Sequence, residues 1–278
     1  MIENLKLKIS GEQRHISTRL VRSDNIHQLQ QLIIMATGLH SHMDKASQVQ
    51  TAGTYSRAGF SVLQFNFMGH GKGENKSDGD IKDLTITSSI KDMKTVWDYS
   101  RYIPGIDPKN IAISANSYGG LIALLAMEKG MIAPESMSLV APFSFDGLKP
   151  WILPLRLILK LAPNMLPKIL GFPVHPPMIR DYLEHHTRGM TKKDLLGTTA
   201  VHFFIGSEDR VSSQKDIKRW CKTFNAHTPP STPFVDNIQA QYTVYEGVPH
   251  FKIPPVIQND IFTKSIAFIR GTRNVRSR

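Results

Sequence analysis

The stretch IAISANSYGGLIALLAM, residues 111–127, places one hydroxyl where a β-branched run stops and a helical run opens. A serine hydroxyl at its ordinary pKa is a poor nucleophile. Ser117 could therefore attack a carbonyl only beside a general base, a group that orients that base, and an oxyanion site. A tight strand-to-helix turn supplies part of this, because it pushes the Oγ of Ser117 out of a sheet. It also aims the N–H of Tyr118 and the helix N-terminus at a developing negative charge. Such a turn tolerates only small neighbours, and Ala115, Gly119 and Gly120 meet that demand.

The acid and the base are then expected later in the chain, each just after a strand. In AVHFFIGSEDRVSS an acid follows a β-rich run, and in QYTVYEGVPHFKIP a histidine follows another. Asp209 is preferred as the acid because it sits before Arg210 and Val211, where the turn points inward; the adjacent Glu208 is the alternative. His250 is the expected base. Serine, aspartate and histidine in that order at 117, 209 and 250 describe acyl transfer through a covalent acyl-enzyme. A second oxyanion donor is expected from the loop after QLIIMAT, where Gly38 permits a tight turn and Leu39 offers its N–H. His40, Trp151, Leu155 and Val211 are the expected pocket residues.

That same loop reads HSHMD, an H-x-H-x-D string that resembles the metal-binding opening of the metallo-β-lactamase family, with His40, His42 and Asp44 as ligands. A dinuclear site of that type wants a further histidine directly after the aspartate, where Lys45 stands. The expectation is therefore no metal and no organic cofactor. His42 and Asp44 are expected to shape the loop, with Asp44 starting the helix that follows.

The elements needed to position these groups are legible as alternating patterns. LKLKIS and HISTRLV read as two antiparallel strands. QLIIMAT, FSVLQFNF, NIAISA, SMSLVAP, AVHFFIG and QYTVYEG read as strands buried on both faces. Helical patterns cover roughly 43–59, 81–102, 118–129, 212–226 and 256–270. The fold class is thus α/β, an eight-stranded mostly parallel sheet with helices on both faces, in one domain spanning 1–278. Between 142 and 190 the chain is rich in proline and carries short apolar helical runs but no strand pattern. A structureless loop of that length is uncommon in a compact domain, so residues 143–197 are expected to form a small helical cap over the site.

Composition bounds the alternatives. Of 278 residues, 41% are apolar and 21% charged, an ordinary balance for a folded chain. The single cysteine, Cys221, excludes an intramolecular disulfide and a cysteine-rich zinc site, and fits a reducing, cytoplasmic setting. The first residues lack a signal-peptide core, and no run reaches the roughly 18 apolar residues of a membrane span. The net charge of +11 sits partly in RGTRNVRSR, and residues 271–278 are expected to be a solvated basic tail. No nucleic-acid-binding module is present. Peripheral contact with an anionic membrane surface remains open, as does an anionic substrate.

Over nearly its whole length the chain resembles the α/β-hydrolase superfamily, and within it the cinnamoyl/feruloyl esterase, monoacylglycerol lipase and serine aminopeptidase group. TGLHSHMDK resembles the oxyanion segment, GFSVLQFNFMGHGKGEN a strand followed by a G-H-G turn, ANSYGG the elbow, GSEDRV the acid loop and GVPHF the histidine loop. Four positions depart from the family pattern: Thr37 replaces a histidine, Asn66 an aspartate, Gly73 a serine and Ala115 a glycine. None removes a triad member. The resemblance implies a serine hydrolase for carboxylic esters of a hydrophobic acyl or aryl group. A thioesterase or acyltransferase on the same residues, or a non-catalytic binding protein on the scaffold, are the alternatives.

Overall fold

Apolar runs that offer no polar face to water form the interior strands of one sheet. The computed structural model describes residues 1–23, 29–144, 154, 157, 160–161, 168–169, 172–185, 199–226 and 239–276. Its strands are β1 (Ile2–Lys8), β2 (His15–Val21), β3 (Gln30–Ala36), β4 (Ser61–Phe65), β5 (Ile106–Asn116), β6 (Ser136–Val140), β7 (Lys168–Ile169), β8 (Phe172–Pro173), β9 (Ala200–Gly206) and β10 (Ala240–Tyr245). The α-helices are α1 (Ala46–Arg57), α2 (Ile86–Ser100), α3 (Tyr118–Glu128), α4 (Pro176–His185), α5 (Gln214–Ala226) and α6 (Pro255–Arg276).

The main sheet runs β1-β2-β4-β3-β5-β6-β9-β10. β2 is antiparallel to both its neighbours and every later pairing is parallel. Strands β4 and β9 are buried at every position, as their mainly apolar sequences favour, with Ser61, Gln64 and His202 buried among the apolar residues. Edge strand β1 alternates between exposed and half-buried residues, and its lysines blunt an edge that could otherwise pair with another chain.

Register decides where the chemistry emerges. Ala36 of β3 lies opposite Ala115 of β5, and Asn116 opposite Val140 of β6. Ser117 therefore leaves the sheet at the carboxyl edge, between two neighbouring strand ends. Gly206 of β9 pairs with Tyr245 of β10, so the loops carrying Asp209 and His250 leave at the same edge. Open α/β sheets form their ligand crevice there. Helix α3 is buried from Tyr118 through Met127, a helix apolar on all sides because it lies within the core.

Three expectations are corrected. Helix α2 begins at Ile86 rather than 81, because Thr85 and Ser88 form a reciprocal capping box and Ile81–Asp83 is a separate 3₁₀ turn. The stretch expected to lack strands holds the short antiparallel pair β7–β8. Ile169 and Phe172 favour extended backbone, and Pro173, lacking an N–H, limits its length. Helix α6 continues past 270 to Arg276, with Ile269 and Thr272 buried in its later turns, so most of the expected tail is helical. Of the expected cap, β7, β8 and α4 are described; Leu157 and Leu161, in helical conformation, are exposed. Among the described residues no helix is long and apolar enough to cross a membrane.

Candidate functional site

The turn between β5 and α3 is strained, and its neighbours hold it. Ser117 has φ 48° and ψ −118°, a conformation that side-chain-bearing residues rarely adopt. Such strain costs about 1–3 kcal/mol and persists only where the surroundings impose it. Here Ser117 N–H donates to Val140 O at 3.0 Å, while Ser117 O accepts from Phe143 N–H at 2.9 Å and Leu121 N–H at 3.2 Å. Gly119 is required by close approach: a Cβ there would lie 2.5 Å from Ala36 O and 2.7 Å from Thr37 O. Ala115, by contrast, is a buried strand residue whose methyl is accommodated, so alanine at the first elbow position leaves the turn intact.

The later loops converge on this turn. Ser117 Oγ lies 2.9 Å from His250 Nε2, and His250 Nδ1 lies 2.8 Å from Asp209 Oδ2. The Asp209 carboxylate is fully buried and the imidazole nearly so. Asp209 Oδ1 accepts two further hydrogen bonds, from Val211 N–H at 2.8 Å and Ser212 N–H at 2.7 Å. An ionised carboxylate only accepts, so Nδ1 of His250 carries the proton and Nε2 is left to accept from Ser117. Glu208, the alternative acid, is exposed. Ser212 Oγ donates to Ala141 O at 2.8 Å, tying the acid loop to the end of β6.

Leu39 and Tyr118 sit on either side of the serine, and among the described residues neither N–H donates to a backbone acceptor. The loop that carries Leu39 is fixed by a histidine whose contact was not legible in the sequence. His40, at φ 58°, donates its N–H to His70 Nε2 at 3.2 Å, and His70 Nδ1 donates to Met68 O at 2.9 Å. Both ring nitrogens are thus committed in the neutral form, and burial lowers the His70 pKa to about 4. The flanking Gly69 and Gly71, both at positive φ, were the available signal that this turn is closely packed.

Asn66 explains one departure from the family pattern. Its Oδ1 accepts from Met43 N–H at 2.8 Å and its Nδ2 donates to Asn75 O at 2.7 Å, a pairing of donor and acceptor that an aspartate cannot make. Asp44 does not start helix α1, whose N-cap is Lys45. Instead its Oδ1 accepts from Arg19 of β2 and, at 3.0 Å, from Asn75 Nδ2. Asp44 Oδ2 lies 3.8 Å from His42 Nδ1, while His40 faces the cavity described next, so the H-x-H-x-D residues do not converge on one point.

A cavity of about 330 Å³ opens on Ser117 and His250. Its walls are mainly apolar, with Phe143, Val174, Met178, Ile179, Tyr182 and Val211 among them, and His40, Ser41, Lys45 and Asn116 add polar groups. Val211 and His40 are among its lining residues; Trp151 and Leu155 lie outside the described residues.

The strand order, the antiparallel β2 and the serine elbow at the carboxyl edge define the α/β-hydrolase fold. The chain matches the sequence model of the family described as serine aminopeptidase, S33, over residues 27–206, and it belongs to that family. Among solved structures it is similar to Est1E from Butyrivibrio proteoclasticus with ferulic acid bound (18% identity, covering 95% of this chain and 98% of that one, TM-score 0.66). It is also similar to a lipase in an open form (13%, 99% and 100%, 0.72) and to mouse alpha/beta hydrolase domain-containing protein 10 (15%, 96% and 97%, 0.68). No curated protein sequence matches the chain.

Proposed function

We propose that the protein is a serine hydrolase that cleaves carboxylic esters of apolar acyl or aryl groups. The observation that carries this reading is the continuous hydrogen-bonded chain from Ser117 through His250 to Asp209 at the mouth of an apolar cavity. Ser117 Oγ attacks the acyl carbonyl as His250 Nε2 takes its proton, and the imidazolium returns that proton to the leaving alcohol. Asp209 fixes the tautomer and stabilises the charged ring. The N–H groups of Leu39 and Tyr118 receive the developing oxyanion, each contributing about 3–4 kcal/mol if they act as such donors do elsewhere. Water then repeats the cycle on the acyl-enzyme.

The cavity's chemistry supports an ester over a peptide with a free amino terminus. A substrate α-ammonium calls for a carboxylate partner, and among the described lining residues there is none; the charged side chain at the wall is Lys45. An alkoxide also leaves more readily than an amine. The test is labelling with a fluorophosphonate probe, read by intact mass and peptide mapping, beside turnover of p-nitrophenyl esters. One adduct on Ser117, absent from Ser117→Ala, is expected; a folded protein with neither adduct nor turnover overturns the reading.

A further inference from the structure

Helix α4 supplies Met178, Ile179 and Tyr182 to the cavity wall, and the same helix is tied to the hydrolase body by the carboxylate of Asp181. Asp181 Oδ2 accepts from the backbone N–H of Thr87 at 2.6 Å, and its Oδ1 accepts from Thr87 Oγ1 at 2.8 Å. Thr87 lies in the first turn of α2. There the side chains of Thr85 and Ser88 are occupied by their own capping box, and α2 has no acid of its own in that turn. Asp181 thus brings to the N-terminal end of α2 the negative charge that the helix dipole favours. His185, one turn on, donates Nδ1 to Asp181 O at 2.9 Å, which keeps the segment carrying the carboxylate helical. Ile179 and Tyr182 of α4 are also buried, and the Tyr182 ring stands edge-on to Phe143, centroids 5.9 Å apart. Apolar packing is non-directional, whereas a two-pronged carboxylate fixes rotation.

We infer that Asp181 is a positioning residue for acyl-chain selectivity: its two bonds to Thr87 set the rotation of α4 and so the far wall of the acyl pocket. The inference rests on the ester-hydrolase reading above. A short acyl group needs only the serine and the oxyanion donors, whereas a long one must lie against Met178, Ile179 and Tyr182. Loss of the latch therefore acts on long substrates alone.

The experiment compares kcat and KM for p-nitrophenyl acetate and octanoate in the wild type, Asp181→Ala, Thr87→Val and Asp181→Asn. In Asp181→Ala, which loses both bonds to Thr87, the ratio of octanoate to acetate kcat/KM is expected to fall at least about tenfold, a single hydrogen bond to a charged group being worth roughly that much. The fall lies in the octanoate KM, with acetate kcat unchanged. Thr87→Val, which keeps the N–H, should show a smaller fall, and Asp181→Asn, which can still bond both Thr87 groups, should restore the wild-type ratio. Hydrogen exchange over residues 176–185 should quicken in the same order. An unchanged ratio in folded Asp181→Ala and Thr87→Val, with wild-type turnover of both esters, overturns the latch alone. Wild-type protein that turns over neither ester overturns the hydrolase reading beneath it.

Discussion

Replacing Asp209 by asparagine tests the site through a single proton. The two oxygens of Asp209 face different partners: Oδ1 accepts from the N–H groups of Val211 and Ser212, and Oδ2 accepts from His250 Nδ1. An asparagine has one acceptor oxygen and one NH₂. Two backbone donors hold the oxygen on their side, so the NH₂ turns toward His250. The imidazole must then accept at Nδ1, which moves its proton to Nε2, the nitrogen 2.9 Å from Ser117 Oγ. The ring keeps its place and loses its basicity toward the serine. A triad held in the wrong tautomer loses about ten-thousand-fold in kcat, or about 5 kcal/mol of transition-state stabilisation. Because the backbone bonds survive, Asp209→Asn should unfold in urea within about 1 kcal/mol of the wild type. The assay is p-nitrophenyl acetate turnover at neutral pH, with the exposed Glu208→Gln as a control expected to match the wild type. Asp209→Asn activity within tenfold of wild type would refute the tautomer argument, and a large loss in Glu208→Gln would move the acid to the neighbouring position.

Three further outcomes follow from the same geometry. Gly119→Ala should destabilise the fold by at least about 2 kcal/mol or prevent soluble expression, since its Cβ would meet the backbone oxygens of Ala36 and Thr37, while Ala115→Gly should fold; chemical denaturation of the two distinguishes them. Ser117→Gly should abolish turnover yet raise stability by about 1 kcal/mol, because glycine adopts φ 48° without strain; a lower melting temperature than wild type would contradict this. Stability should fall between pH 7 and pH 4. Burial lowers His70 and His202 to about 4, so below pH 6.5 the unfolded chain binds protons that the folded one refuses, at about 3 kcal/mol for each histidine. Asp92 runs the other way: burial, outweighing its ion pair with Arg14, raises it to about 6, and the cost of holding it charged disappears on acidification, offsetting about 3 kcal/mol. Urea midpoints across that range should drop in the wild type and drop less in His202→Gln; equal midpoints at both ends would contradict the assignment.

What was legible in the sequence is what local chemistry encodes. Mainly apolar runs without alternation mark β4 and β9 because a strand covered on both faces has no reason to alternate. The elbow is visible because its demands fall on adjacent residues: a hydroxyl at Ser117 and glycine at 119, where the backbone of β3 passes within contact distance. Chain order extends this to Asp209 and His250, since each loop follows a recognisable strand. The fold separates Asp209 from Glu208: it buries one carboxylate under two N–H groups and leaves the other in water.

The contacts that hold the site's walls lie beyond such patterns, and for one physical reason. His40 meets His70, Asp44 meets Arg19, and Asp181 meets Thr87 across separations that no local periodicity spans. Each joins residues distant in the chain through a single polar side chain, so each leaves only an ordinary histidine, aspartate or threonine in the sequence. Reactive groups are constrained by the turn that presents them, whereas pocket walls are constrained by whatever the framework offers to tie them down. The same asymmetry explains why the expected placement of Asp44 at the start of α1 failed: the helix dipole offers a fraction of a kcal/mol to an exposed acid, and the Arg19 guanidinium, with Asn75 beside it, offers more.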